Sequence, residues 1–193
     1  MTTYAIEARA FRVALAWLHN FWVLTDVDRG ATIAELHGLA YDRINLRILP
    51  IGTTLDHGLR VFVFPHDTDY AARLGLEVRS TRMYSRSRAH VVYQGADGLM
   101  RWDAAVKAMP LLDKLDLTYP PYGFNMLTPT VNSNSAYRTF GEIMDVPIHE
   151  FPGAFRPGFH NRMIAANEIA LVRQASGYEP DSLFEQLDQA RET

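Results

Sequence analysis

The chain reads as an α+β protein, a mainly antiparallel sheet with packed helices, and three observations predict it. Short β-branched and aromatic runs that alternate in polarity dominate residues 21–94. Turn residues separate them at short intervals, which suits hairpin connections better than crossover helices. Helical spacing of apolar residues comes late, over residues 99–117 and after Ser135, so helices follow strands along the chain instead of alternating with them.

The elements follow in order. Residues 5–18 are mixed and apolar-rich, readable as strand or helix. Phe21-Trp22-Val23-Leu24-Thr25 has the character of a buried strand. Asp26-Val27-Asp28-Arg29-Gly30 is turn chemistry, and Ala31-Thr32-Ile33-Ala34-Glu35-Leu36-His37-Gly38 alternates as a partner, so residues 19–38 form an antiparallel hairpin. Residues 46–53 make a short apolar element broken by Pro50 and Gly52, and residues 59–65 alternate up to a stopping proline. Residues 76–84 and 90–94 add further strands, with Gly95-Ala96-Asp97-Gly98 as a turn. Trp102, Ala105, Val106, Met109, Leu112 and Leu115 recur at helical spacing, in a helix that Pro110 should kink or divide. After an irregular stretch at residues 119–123, Tyr137, Phe140, Ile143 and Met144 mark a second helix, capped by the preceding Ser and Asn residues and ended by Pro147. Residues 151–161 read as an ordered, aromatic-lined loop, residues 163–173 as strand or helix, and residues 180–191 as a polar terminal helix.

Length and composition bound the function. At 193 residues the chain is most simply one domain, residues 1–193, able to bury a core without metal or disulfide. A net charge of -3 gives no support for a nucleic-acid surface. Cysteine is absent, which removes disulfides, thiolate ligands and cysteine nucleophiles together. No secretory signal and no apolar run long enough to span a bilayer is present. The protein is expected to be soluble and cytoplasmic as synthesised, with secretion by a route that needs no signal peptide left open.

The chemistry-bearing candidates lie far apart in the chain. His19 stands at the mouth of the first apolar strand of the hairpin, where a catalytic imidazole would be rigid yet reachable from a cleft; the plainer account is an edge residue. Glu35 and His37, two apart on the partner strand, share a face and could orient His19 through its other ring N–H; the plainer account is a solvated face. Asn132-Ser133-Asn134-Ser135 opens the second helix, where free N–H groups favour an alkoxide or oxyanion, and where a cap alone would also explain the residues. No HExxH pair, zinc-site spacing, glycine-rich phosphate loop or GxSxG elbow occurs, so neither metal nor nucleotide cofactor is expected. Arg79, Arg82, Arg86 and Arg88 form a small basic cluster that is most simply a solvated loop.

HNFWVL opening a strand, ELHGL on its partner and NSNSAYRTFGEIM opening a later helix together resemble the circularly permuted papain-like (NlpC/P60) superfamily, and within it bacterial toxin-type members with an NSNS motif and serine in place of cysteine. The resemblance covers residues 19–38 and 132–144. It implies a hydrolase or acyltransferase acting on an amide or ester bond, in the manner of a bacterial effector. Ser135 (less readily Ser133) would be the nucleophile, His19 the base, Glu35 or His37 the orienting group, and Asn132, Ser133 and Asn134 the oxyanion and substrate contacts. The substrate would be a peptidoglycan peptide, a protein amide or a lipid ester. The rival reading is a non-catalytic binding module or degenerate hydrolase acting through a protein partner, favoured by the missing cysteine and the aromatic segments 119–124 and 151–159. If His19 is the base, activity should rise through the histidine pKa, roughly 6 to 7, with Glu35 moving the rise upward.

Overall fold

The computed structural model describes residues 1–14, 17–125, 127–153 and 155–177. Among them one antiparallel sheet of six strands and four α-helices confirm the α+β class. The strands are β1 (Tyr4–Ala14), β2 (Trp17–Asp26), β3 (Ala31–Asp42), β4 (Arg47–Leu49), β5 (His57–Pro65) and β6 (Arg88–Gly95). Their order is β4-β3-β2-β1-β6, with β5 on the far edge of β3. The helices are α1 (Thr68–Leu74), α2 (Gly98–Lys114), α3 (Ser133–Ile143) and α4 (Ala166–Ser176).

Several elements differ from expectation. Residues 5–18 are strand throughout their described part, because β1 pairs with β2 along its length and with β6 on its other side. Residues 76–84 are not a strand: the N–H groups of Arg79 and Thr81 donate to the Pro65 carbonyl and the Glu35 carboxylate, and a single helical turn at Tyr84–Arg86 ends the stretch. Helix α1 was not foreseen, although Asp67 caps it through the Asp69 and Tyr70 N–H groups and Gly75 closes it in the left-handed region. Helix α2 runs through Pro110 as one element. The ambiguous segment 163–173 becomes the lead-in and most of α4, and the terminal helix expected at residues 180–191 lies outside the described residues.

Helices α2 and α3 cover one face of the sheet, and the core lies between. Trp22 stacks on Tyr137 at 4.3 Å and donates its indole N–H to the Tyr137 carbonyl at 2.8 Å. At Gly38, α3 comes so close that an added Cβ would sit 2.3 Å from the Ala136 Cβ. Side chains alternate across a strand, so the neighbours of these core residues point the other way, beneath residues 79–87. Tyr84 there meets Thr32 at 2.5 Å and lies under the Arg9 guanidinium.

One irregularity positions the site. Strand β3 pairs along one edge first with β2, up to Leu36, and then with β4, from Ala40. Between them β2 leaves β3 while still paired with β1, where His19 faces Phe11. The N-terminus of α3 enters this split. Asn134 Oδ1 accepts from the Asn20 N–H at 3.1 Å, and its Nδ2 donates to the Leu18 carbonyl at 3.2 Å. Among the described residues no helix is long and apolar enough to cross a membrane.

Candidate active site

The split opens into a cavity of about 630 Å³, lined by the sheet on one side and the start of α3 on another. His19 and Ser133 both line it. Its volume falls within the roughly 300–1,000 Å³ usual for small-molecule sites.

Behind His19 runs a buried polar chain. His19 Nε2 lies 2.9 Å from His37 Nδ1, and His37 Nε2 lies 2.9 Å from Glu35 Oε2. Glu35 also accepts from His66 Nε2 at 2.6 Å, from the Thr81 N–H at 2.9 Å, from the Thr81 hydroxyl at 2.5 Å and from the Ser80 hydroxyl at 3.3 Å. Both Glu35 and His37 are fully buried, and His19 is 5% exposed. Burial alone would push the Glu35 carboxyl up, but hydrogen bonds from His37 and His66, the His37 ring's field and the Thr81 hydroxyl outweigh it and hold Glu35 well below the usual carboxylate range.

These bonds set the tautomers. An ionised carboxylate only accepts, so His37 donates through Nε2 and presents a bare Nδ1, which accepts the Nε2 proton of His19. His19 is left with an unprotonated Nδ1 that has no hydrogen-bond partner among the described residues. Burial pushes the His19 pKa well below 6.5, the neighbouring His37 lowers it further, and Glu35 opposes both. The net direction is therefore down, where a nearby carboxylate taken alone predicts up. His37 is likewise lowered by burial, against the pull of Glu35. Both rings are neutral at pH 7.

The four residues opening α3 divide between architecture and cavity. Asn132 is the cap: its Oδ1 accepts from the Asn134 N–H at 2.8 Å, and its Nδ2 donates to the Gly123 and Pro157 carbonyls. Ser135 completes a capping box, accepting from the Asn132 N–H at 3.2 Å and donating to the Gly158 carbonyl at 2.8 Å. Gly158 has φ +77, and an added Cβ there would lie 2.8 Å from the Ser135 Oγ, so only glycine lets that loop close over the cap. Ser135 is fully buried, and its partners do not include His19. The structure thus joins His19, His37 and Glu35 and does not bring Ser135 to them; Ser133 is the serine that shares the cavity with His19. The Asn132 and Asn134 side-chain amides, expected as oxyanion donors, are engaged by backbone carbonyls.

Two residues of the site escaped the sequence reading. Tyr119, which the sequence places in an irregular connection and in the aromatic segment 119–124, lines the cavity with its hydroxyl 3.4 Å from Ser133 Oγ and against the Ser133 backbone N–H. Burial raises its pKa, which keeps the phenol protonated. His66 follows the proline that ends β5, and nothing local ties it to Glu35, 31 residues away. Among the described residues no group of three or more His, Asp or Glu side chains is arranged to hold a metal ion. No family model, no curated protein and no solved structure matches the chain.

Proposed function

We propose that the chain is a serine-dependent hydrolase or acyltransferase with Ser133, not Ser135, as nucleophile. The observation that carries this reading is the shared cavity: His19, oriented through His37 by an ionised Glu35, lines the same space as Ser133 at a helix N-terminus. Ser133 Oγ bonds to the substrate's acyl carbon as its proton passes to His19 Nδ1. The tetrahedral oxyanion is held by the Tyr119 hydroxyl and the positive end of α3. His19 then returns the proton to the departing oxygen or nitrogen as that bond breaks. Water, or an acceptor alcohol or amine, repeats the sequence to release the acyl group.

A binding module remains the second reading, favoured by the lack of a hydrogen bond between His19 and Ser133. A fluorophosphonate probe separates the two. Labelling of the wild type and of Ser135→Ala, lost in Ser133→Ala and His19→Ala, is expected for the enzyme. Absent labelling of folded wild type overturns it, and labelling that persists in Ser133→Ala removes Ser133 as nucleophile.

A further inference from the structure

We propose that the cavity takes a long acyl chain whose ester carries a phosphate, the chemistry of an anionic glycerophospholipid; this rests on the reading of Ser133 and His19 given above for turnover, but not for binding. The first observation is the lining. Apart from the polar groups gathered near Ser133 and at residues 79–82, the walls are mainly apolar, with Phe11, Val13, Trp17, Leu39, Ile48 and Ile51 among them, and no carboxylate is among the described lining residues. A peptide substrate brings an amide N–H and C=O at every residue, and these walls supply few partners for them. An alkyl chain asks for none, and each buried methylene contributes about 0.8 kcal/mol, roughly a fourfold gain in affinity.

The second observation is charge. The two charged side chains at the lining are both guanidinium groups, Arg79 and Arg82. Both are exposed, and neither has a carboxylate partner among the described residues; Arg79 instead lies over the Phe64 ring at 5.6 Å. Two forked cations without acids, beside an apolar cavity, match a phosphate on an aliphatic tail. Their backbone is not free to wander, because the intervening Ser80 and the following Thr81 are fastened to Glu35.

The third observation is the rim. Phe155 packs edge-on against the cavity residue Trp17 at 6.1 Å and against Phe124 at 5.7 Å. Phe155 and Phe124 are 49% and 40% exposed. The apolar lining therefore continues outward to the surface, as entry of a chain from a lipid aggregate requires. In turnover Ser133 Oγ would bond to the chain's carbonyl carbon, the ester C–O bond would break, and the glycerophosphate alkoxide would leave with the proton from His19.

Trp17 supplies a direct readout, since Trp22 and Trp102 are fully buried elsewhere. Ser133→Ala is titrated with brominated hexadecanoyl glycerophosphate, its hexanoyl counterpart and brominated hexadecanoyl glycerol below their aggregation limits, following quenching of Trp17. The long-chain phosphate is expected to bind at least about a hundredfold more tightly than the short one. Adding Ile48→Phe should weaken the long chain about tenfold and leave the short one unchanged. The exposed pair Arg79→Gln/Arg82→Gln, which cannot collapse the core, should cost about tenfold for the phosphate and nothing for the uncharged glyceride. Equal binding of long and short chains, or of charged and uncharged heads, overturns the proposal even if wild type hydrolyses small esters. Tight long-chain binding without fluorophosphonate labelling upholds it while the catalytic reading falls.

Discussion

The two faces of the β2–β3 pair are buried alike and held together by different physics. Toward the helices point Trp22, Leu24, Leu36 and Gly38, where removal of apolar area and close fit decide stability. One residue along, on the other face, stand His19, Glu35 and His37, equally hidden from water and stable only because nearly every polar atom finds a partner. The contrast teaches that burial does not separate core from site in this sheet. The test is what happens when an atom is removed: the helix face should respond to volume, the opposite face to unmatched donors and to protons.

The largest effect is expected at Glu35. Glu35→Ala leaves the buried His37 and the part-buried His66 and Thr81 as donors without their acceptor, and should cost about 3–5 kcal/mol in urea unfolding. Glu35→Gln keeps an acceptor oxygen and should recover part of this, with turnover still depressed because His37 loses the carboxylate that sets its tautomer. A loss below about 1 kcal/mol for the alanine variant would show that the polar face is held by its surroundings and not by this carboxylate.

On the other face Gly38→Ala changes volume alone. The new methyl would sit 2.3 Å from the Ala136 Cβ, so α3 must shift, at about 1–3 kcal/mol. Because the start of α3 carries Ser133, activity should fall with stability. The double variant Gly38→Ala/Ala136→Gly should restore much of both; no rescue would place the strain elsewhere.

Protons distinguish the faces next. The folded pKa values of His19 and His37 lie below 6.5, so the unfolded chain binds more protons once the pH drops under that value. Stability should therefore be full above about pH 6.5 and fall as pH drops toward the folded pKa values, by up to ~1.4 kcal/mol per pH unit for each histidine. Glu35 has the same sign but acts only below about pH 4.5, where the unfolded carboxyl takes up a proton that the folded one still refuses. By the same depression of His19, the acid limb of kcat/KM should lie below the ordinary histidine pKa. Urea midpoints that stay flat from about pH 7.5 to pH 5.5 would contradict buried neutral imidazoles.

The smallest effect concerns the paired serines. Ser135→Ala removes the hydroxyl's bonds to the Asn132 N–H and to the Thr130 and Gly158 carbonyls, and should cost about 1 kcal/mol with most of the activity kept. Ser133→Ala should leave the unfolding midpoint nearly unchanged and abolish turnover. The reversed outcome would return the nucleophile to Ser135.

Much of this was legible in residue order. Alternation in Ala31-Thr32-Ile33-Ala34-Glu35-Leu36-His37-Gly38 put Glu35 and His37 on one face and identified the hairpin, and the NSNS segment announced a capped helix. Other parts were not legible, because their partners are remote. The stretch 76–84 has strand-like composition, yet its N–H groups close over Glu35 instead of forming a ladder. His66 and Tyr119 carry no local signature, since each gains its role from a contact across the chain.

Residue order alone was enough for the β2–β3 hairpin, the class of fold, the cap of α3 and the candidate residues His19, Glu35 and His37, because periodicity and capping are local properties of neighbouring side chains. Only the tertiary structure decided which serine meets the cavity and which closes the helix, since Ser133 and Ser135 are chemically identical and differ by the turn of α3 and the approach of Gly158. It decided the direction of the His19 pKa as well. The carboxylate that would raise it was evident in the chain, but the burial that outweighs it exists only when β2, β3 and residues 79–83 pack together.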